Sequence, residues 1–259
     1  MPALMYHSVS AVAGPMRDLA VPPRLLTEHL EALTEAGYRL VGLSEALDLL
    51  DAGSTEKLLA LTFDDGYRDF LTAGLPALTK AGAGATLYAS VGHLGGPARW
   101  LGRWAPAFGP MLTWGELAEV AAAGIEIGNH GLLHHPLDVL PSNRLRREVV
   151  RSHEQLEQRL QLPVRSFAYP HGYNSRRVRG VVASTGHDSA AEVGRRLHTP
   201  AERRFAIPRL QPTPGLGGAD LVALVGTGGA GLLPKVKQIA QPGWRVVRRV
   251  ARGLGWNLT

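Results

Sequence analysis

The sequence predicts an α/β fold in which parallel strands alternate with helices and close, or nearly close, into a barrel. Two observations carry this: short apolar, β-prone runs recur between segments of helical periodicity, and several of those runs end on polar or titratable residues. Strands whose C-terminal ends share one rim give that pattern. At 259 residues, with 45% hydrophobic and 19% charged residues, the chain can bury a full core in one main domain.

The elements follow in order. ALMY (3–6) opens as a strand, then come a helix over 24–36, the strand YRLV (38–41), a helix over 44–51 and the strand LLALTF (58–63). A helix over 67–81, ATLYAS (85–90), a helix near 114–123, IEIGN (125–129), a long helix over 142–160 and VRSFAY (164–169) continue the alternation. The segment 92–113, GHLGGPARWLGRWAPAFGPMLT, is too rich in Gly and Pro for a regular element and long for an idle connection, so it reads as a loop over the site. PTPGLGGADLVALVGTGGAGLLP (212–234) reads as a Gly-rich boundary rather than core. It divides a main domain, 1–214, from a Gly-rich linker and basic tail, 215–259.

Composition narrows the function. With no cysteine, disulfides, thiolate metal sites and a cysteine nucleophile are excluded together, so any metal is held by His and carboxylate. The N-terminus lacks the regions of a cleaved signal and no window has the apolar length of a membrane span, which points to a cytoplasmic protein. The formal charge of +6 belongs to the tail: after Asp220 there are six Lys and Arg and no acid, and residues 1–220 carry no net formal charge. A neutral body argues against nucleic acid as the main partner. Wound as a helix, residues 242–256 put Arg245, Arg248, Arg249 and Arg252 on one face and Trp244, Val247, Ala251 and Leu254 on the other. Such a basic amphipathic helix either docks on the barrel or attaches peripherally to an anionic membrane surface.

The chemistry lies at the strand ends. LLALTF runs into the paired acids Asp64 and Asp65, IEIGN into His130, ALMY into His7, and VRSFAY into Pro170 and His171. Adjacent carboxylates repel unless a cation lies beside them. His130 and His134 have the i, i+4 spacing that turns two imidazoles toward one metal ion, although His135 competes with His134 for that role. A carboxylate completes three ligands, and the second aspartate then stays ionised and able to take a proton from water.

TFDDG (62–66), LTWGEL (112–117), EIGNHGLLHHPL (126–137) and FAYPHG (167–172) are similar in order and spacing to the motifs of the polysaccharide deacetylases, the NodB-homology domains of carbohydrate esterase family 4. The likeness covers about residues 3–211. It implies a distorted (β/α) barrel, seven-stranded and NodB-like, that removes acetyl groups from an N-acetylhexosamine unit of a glycan or glycolipid with one divalent metal. By position it implies Asp64 as general base, Asp65, His130 and His134 as metal ligands, and the backbone N–H of His171 as oxyanion donor. Zn is the expected ion, and Co, Ni, Mn and Fe suit the same ligands.

Departures from the family pattern assign two further residues. Ala168 stands where an arginine commonly braces the base, and Arg209, in FAIPRLQP, is the candidate replacement, the other reading being a surface arginine at a strand end. The usual C-terminal acid histidine is missing, while Tyr6-His7 resembles the subgroup related to poly-N-acetylglucosamine deacetylases, so the acid role falls to His7. Gly131 replaces a frequent Ser or Thr. Trp100 and Trp104, in the 92–113 loop, are candidates to stack on sugar faces or to anchor the loop. His153 reads as part of a solvated helix face, and His29, His187 and His198 have no evident partner. The alternatives are a silent sugar-binding module, disfavoured by the retained base and ligand set, and a metal hydrolase of another amide or ester.

Overall fold

A computed structural model of the protein describes residues 1–199 and 203–228. Eight strands are present among them: β1 (Ala3–Tyr6), β2 (Arg39–Val41), β3 (Leu58–Phe63), β4 (Thr86–Ala89), β5 (Glu126–Asn129), β6 (Ser166–Ala168), β7 (Ser189–Val193) and β8 (Ile207–Arg209). Seven helices pack outside: α1 (Pro23–Glu35), α2 (Leu43–Asp51), α3 (Leu75–Ala81), α4 (Trp114–Ala122), α5 (Ser142–Leu160), α6 (Arg176–Ser184) and α7 (Gly218–Thr227).

Every pairing is parallel, in the order β1-β3-β4-β5-β6-β7-β8. The ring is drawn together where Leu210, just past β8, meets β1: Met5 N–H donates to Leu210 O and Leu210 N–H to Ala3 O, each at 2.8 Å. β2 pairs with the first half of β3 and β4 with its second half, so the two strands take successive stretches of it. The result is the distorted, nearly closed seven-stranded barrel of the NodB type. All six residues of β3 are buried, as a strand covered on both faces requires.

The helices form where the sequence supplies a face and a start. Leu26, Leu30 and Leu33 recur along one side of α1 and pack with Leu59, Leu61, Leu221 and Val225 in the main core. In LTWGEL a capping box opens α4: Thr113 Oγ1 accepts from Glu116 N–H, and Glu116 Oε2 accepts from Thr113 N–H at 2.8 Å.

Three expectations are corrected. The segment 212–234 is not simply a Gly-rich boundary: Gly218–Thr227 folds as α7 and packs on α1. Gly218 permits the approach, since a Cβ there would stand 2.9 Å from Ala32 Cβ and 3.1 Å from Glu28 O. The 92–113 segment is not without structure, because 3-10 turns run over Arg99–Phe108, broken at Gly102, where φ is 55°. The helix expected over 67–81 begins as a π-helical turn, Phe70–Gly74, before α3. The tail face of Trp244, Arg245 and their neighbours lies outside the described residues.

Candidate active site

A cavity of about 850 Å³ opens where the C-terminal ends of the strands meet. His7 reaches it after β1, Asp64 and Asp65 after β3, His130 after β5 and His171 after β6. The Arg99–Phe108 turns supply a wall through Trp100, and His134 comes from the loop after β5.

Asp65, His130 and His134 come together with their ligand atoms within 4.8 Å of one another, all three buried. Asp65 Oδ1 lies 3.4 Å from His130 Nε2 and 3.2 Å from His134 Nε2, and it has no hydrogen-bond partner. The His130 Nδ1–H donates to Ala168 O at 2.8 Å, which turns an Nε2 lone pair toward the carboxylate. An orphaned, buried carboxylate oxygen facing two imidazole nitrogens is the donor set of a divalent cation, so the residues fit the metal the motifs imply. Burial raises the Asp65 carboxyl, but the two histidines outweigh it and hold it well below the usual carboxylate range. His135 is not in this cluster: its Nδ1–H donates to Glu148 Oε1 at 2.7 Å.

Asp64 is gripped by Arg209. Nη1 donates to Oδ1 at 2.6 Å and Nη2 to Oδ2 at 2.7 Å, and Nη1 also reaches Thr62 Oγ1 at 2.9 Å. Arg209 is 0% exposed, which removes the surface-arginine reading. It arrives from β8, two strands round the ring from Ala168, where the family brace would start. Burial raises the Asp64 carboxyl too, yet Arg209, His130 and His7 more than offset this and keep it below its ordinary range.

Among the described residues, five non-glycine residues have positive φ, and three are here: Asp65 (79°), His134 (55°) and His171 (60°). Strain of this kind collects where a fold over-determines functional groups. The His171 ring packs edge-on against His134 at 4.6 Å, and burial pushes its imidazole down to about 3, leaving it neutral. Burial also lowers His7, with Asp65 and Asp64 pulling the other way.

Trp100 stacks on the His134 ring at 4.3 Å and 22°, with His93 edge-on behind it at 4.9 Å. Trp104 does not line the cavity; its ring lies beneath the Arg103 guanidinium at 4.9 Å. His153 is corrected from a solvated position to a buried one, its ring 4.5 Å from that of His187. His29 joins Tyr6 Oη to Leu216 O, and His198 exchanges backbone hydrogen bonds with Met1. Two supporting residues were missed. Asn129 accepts from Gly131 N–H at 2.8 Å and donates to Val149 O at 3.2 Å, behind His130. Glu148 was detectable as a lone acid on the buried stripe of α5, beside Leu145, Val149 and Ser152.

Fold and rim geometry define the class as a NodB-like (β/α) barrel. The deacetylase PplD of Streptococcus pyogenes superposes with a TM-score of 0.75 at 22% identity, over 87% of this chain and 97% of that one. The sequence profile of the polysaccharide deacetylases matches residues 51–190, and the chain belongs to that family. YxkH of Bacillus subtilis, named for the same family, is 26% identical over 230 residues, 87% of this chain and 76% of its own. The poly-β-1,6-N-acetyl-D-glucosamine N-deacetylase of Escherichia coli is 30% identical over 141 residues, 49% of this chain and 20% of that protein. No helix of the described residues is long and apolar enough to cross a membrane.

Proposed function

We propose that the protein is a metal-dependent hydrolase that removes the N-acetyl group from an N-acetylhexosamine unit of a glycan or glycolipid. The observation that carries this is the orphaned Asp65 Oδ1 facing His130 and His134, beside an aspartate held ionised by Arg209. The Escherichia coli relative, which acts on N-acetyl-D-glucosamine in β-1,6 linkage, supports the sugar class.

Asp65, His130 and His134 would hold the cation, which supplies Lewis-acid activation of water and of the amide carbonyl. Asp64, anchored by Arg209, accepts a proton from the attacking water. The pairing fixes and ionises the base while tempering its basicity. The His171 backbone N–H donates to the carbonyl oxygen as it gains charge. His7 delivers a proton to the amide nitrogen as the C–N bond breaks, giving acetate and a free amine. Burial favours neutral His7, so the proton it delivers is the one Asp64 takes from the attacking water, passed to the imidazole before the C–N bond breaks. Trp100 faces the sugar from the cavity wall.

Incubation with N-acetylated oligosaccharides and glycolipids, read by mass spectrometry for loss of acetyl and by acetate release, tests the proposal. A protein that binds these sugars and releases no acetate in any divalent metal is a binding module instead, and acetate release only from other amides or esters selects the broader hydrolase. Peripheral attachment through residues 242–256 belongs to the same proposal. Co-sedimentation with anionic vesicles of the full chain, and of a chain ending at Pro234, tests it.

A further inference from the structure

His130 and His134 are joined by a loop in which two successive backbone amides, those of Leu132 and Leu133, are received by one carboxylate. Glu148 Oε2 accepts from Leu132 N–H at 3.1 Å and from Leu133 N–H at 2.8 Å, while Oε1 accepts the Nδ1–H of His135 at 2.7 Å. From the other side Val91 N–H donates to Gly131 O at 3.2 Å and Gly92 N–H to Leu132 O at 2.7 Å. Glu148 itself is 5% exposed and projects from the middle of α5, a rigid element. The loop is therefore clamped between the start of the 92–113 segment and a single acid, and it is in this clamped state that His134 takes its left-handed φ of 55°.

We propose that Glu148 is a positioning residue for the metal site: its carboxylate organises the loop between the two histidines so that both Nε2 atoms face Asp65 before any cation arrives. The inference rests on the reading of Asp65, His130 and His134 as ligands and adds a residue that touches none of them. Hydrogen bonds from neutral donors to a buried carboxylate are charge-assisted, and three on one group leave it little freedom. Glutamine cannot replace it fully. Its amide oxygen accepts the Leu132 and Leu133 amides without the charge, and its NH₂ group donates to His135 Nδ1 only if that ring moves its proton to Nε2. Leucine accepts nothing and leaves two amides unpaired.

The test is Zn(II) affinity, by competition with a chromophoric chelator, for the full chain and its Glu148→Gln and Glu148→Leu variants, with Glu154→Gln on the exposed side of α5 as control. Glu148→Leu is expected to raise the Zn(II) dissociation constant about 10- to 100-fold, the range for groups that orient ligands. Glu148→Gln falls between it and wild type, and its kcat returns toward wild type once Zn(II) saturates. An unchanged dissociation constant in folded Glu148→Leu or Glu148→Gln overturns the proposal. If the wild-type chain binds no divalent metal, the ligand reading fails first, and the two failures are told apart. Should Glu148→Leu not fold, amide exchange in the unmodified protein decides: Leu132 and Leu133 should exchange as slowly as strand amides, and rapid exchange at both overturns the clamp.

Discussion

Arg209 and Asp64 lie 145 residues apart in sequence and form a two-pronged ion pair, 2.6 and 2.7 Å, inside the barrel. Removing one partner leaves the other charged and buried, which costs about 3–5 kcal/mol. Arg209→Met is expected to lose that much stability, and Asp64→Asn with Arg209→Met to recover most of it. Urea unfolding of the two single variants and the double variant measures the coupling. If the losses simply add, the pair does not act as a unit.

Metal content should separate the two neighbouring aspartates. Asp65→Ala, His130→Ala and His134→Ala are expected to lose bound metal with activity, whereas Asp64→Asn keeps metal and loses turnover. His135→Ala keeps metal, because its ring hydrogen-bonds Glu148 and is not one of the three. Elemental analysis of the purified variants reads this directly, and metal retained in Asp65→Ala but lost in Asp64→Asn would reverse the roles.

For His7, the expected outcome of His7→Ala is a fall in kcat on the order of a hundredfold or more, with metal retained. Steady-state kinetics with elemental analysis checks it. An unchanged rate would move the acid role to His171, which also lines the cavity and is not a ligand.

Stability at the opposite end of the barrel should depend on pH through Asp48. Arg165 donates to both Asp48 oxygens, at 2.7 and 2.8 Å, and its hydrogen bonds hold the Asp48 carboxyl below its ordinary value. A depressed folded pKa adds stability that is complete above the unfolded value near 4 and vanishes as pH falls through the folded one. The side chains are 37% and 51% exposed, so solvent screening limits the effect to below about 1 kcal/mol. Arg165→Met should therefore be slightly less stable than wild type at pH 7. As pH falls below the unfolded value and through the depressed folded one the two should converge, as denaturant midpoints would show.

What the sequence disclosed was governed by range. Asp64, Asp65 and His130 stand out because a hydrophobic run stops at them, a local signal that survives without knowledge of the fold. Arg209 emerged only by elimination, from the gap at Ala168, since nothing in FAIPRLQP says where a guanidinium points. The π-helical turn at Phe70 and the 3-10 turns around Trp100 depend on tertiary packing that propensity does not encode. α7 was obscured by its glycines, one of which is there because two helices touch. His153 misled for a related reason: charged neighbours surround it in sequence, but at i+4 from Val149 it lies on the inward side of α5.

The closure of the ring through Leu210 has a bearing on how the protein is made. Asp64 directly follows β3, whose partners β1 and β2 precede it in the chain, but the arginine that pairs with it comes 145 residues later on the strand that completes the circle. The chain before residue 209 lacks the guanidinium that grips Asp64, so that ion pair and the finished circle depend on the same long-range contact. A chain interrupted before residue 209 would lack both the strand that completes the circle and the guanidinium that pairs with Asp64.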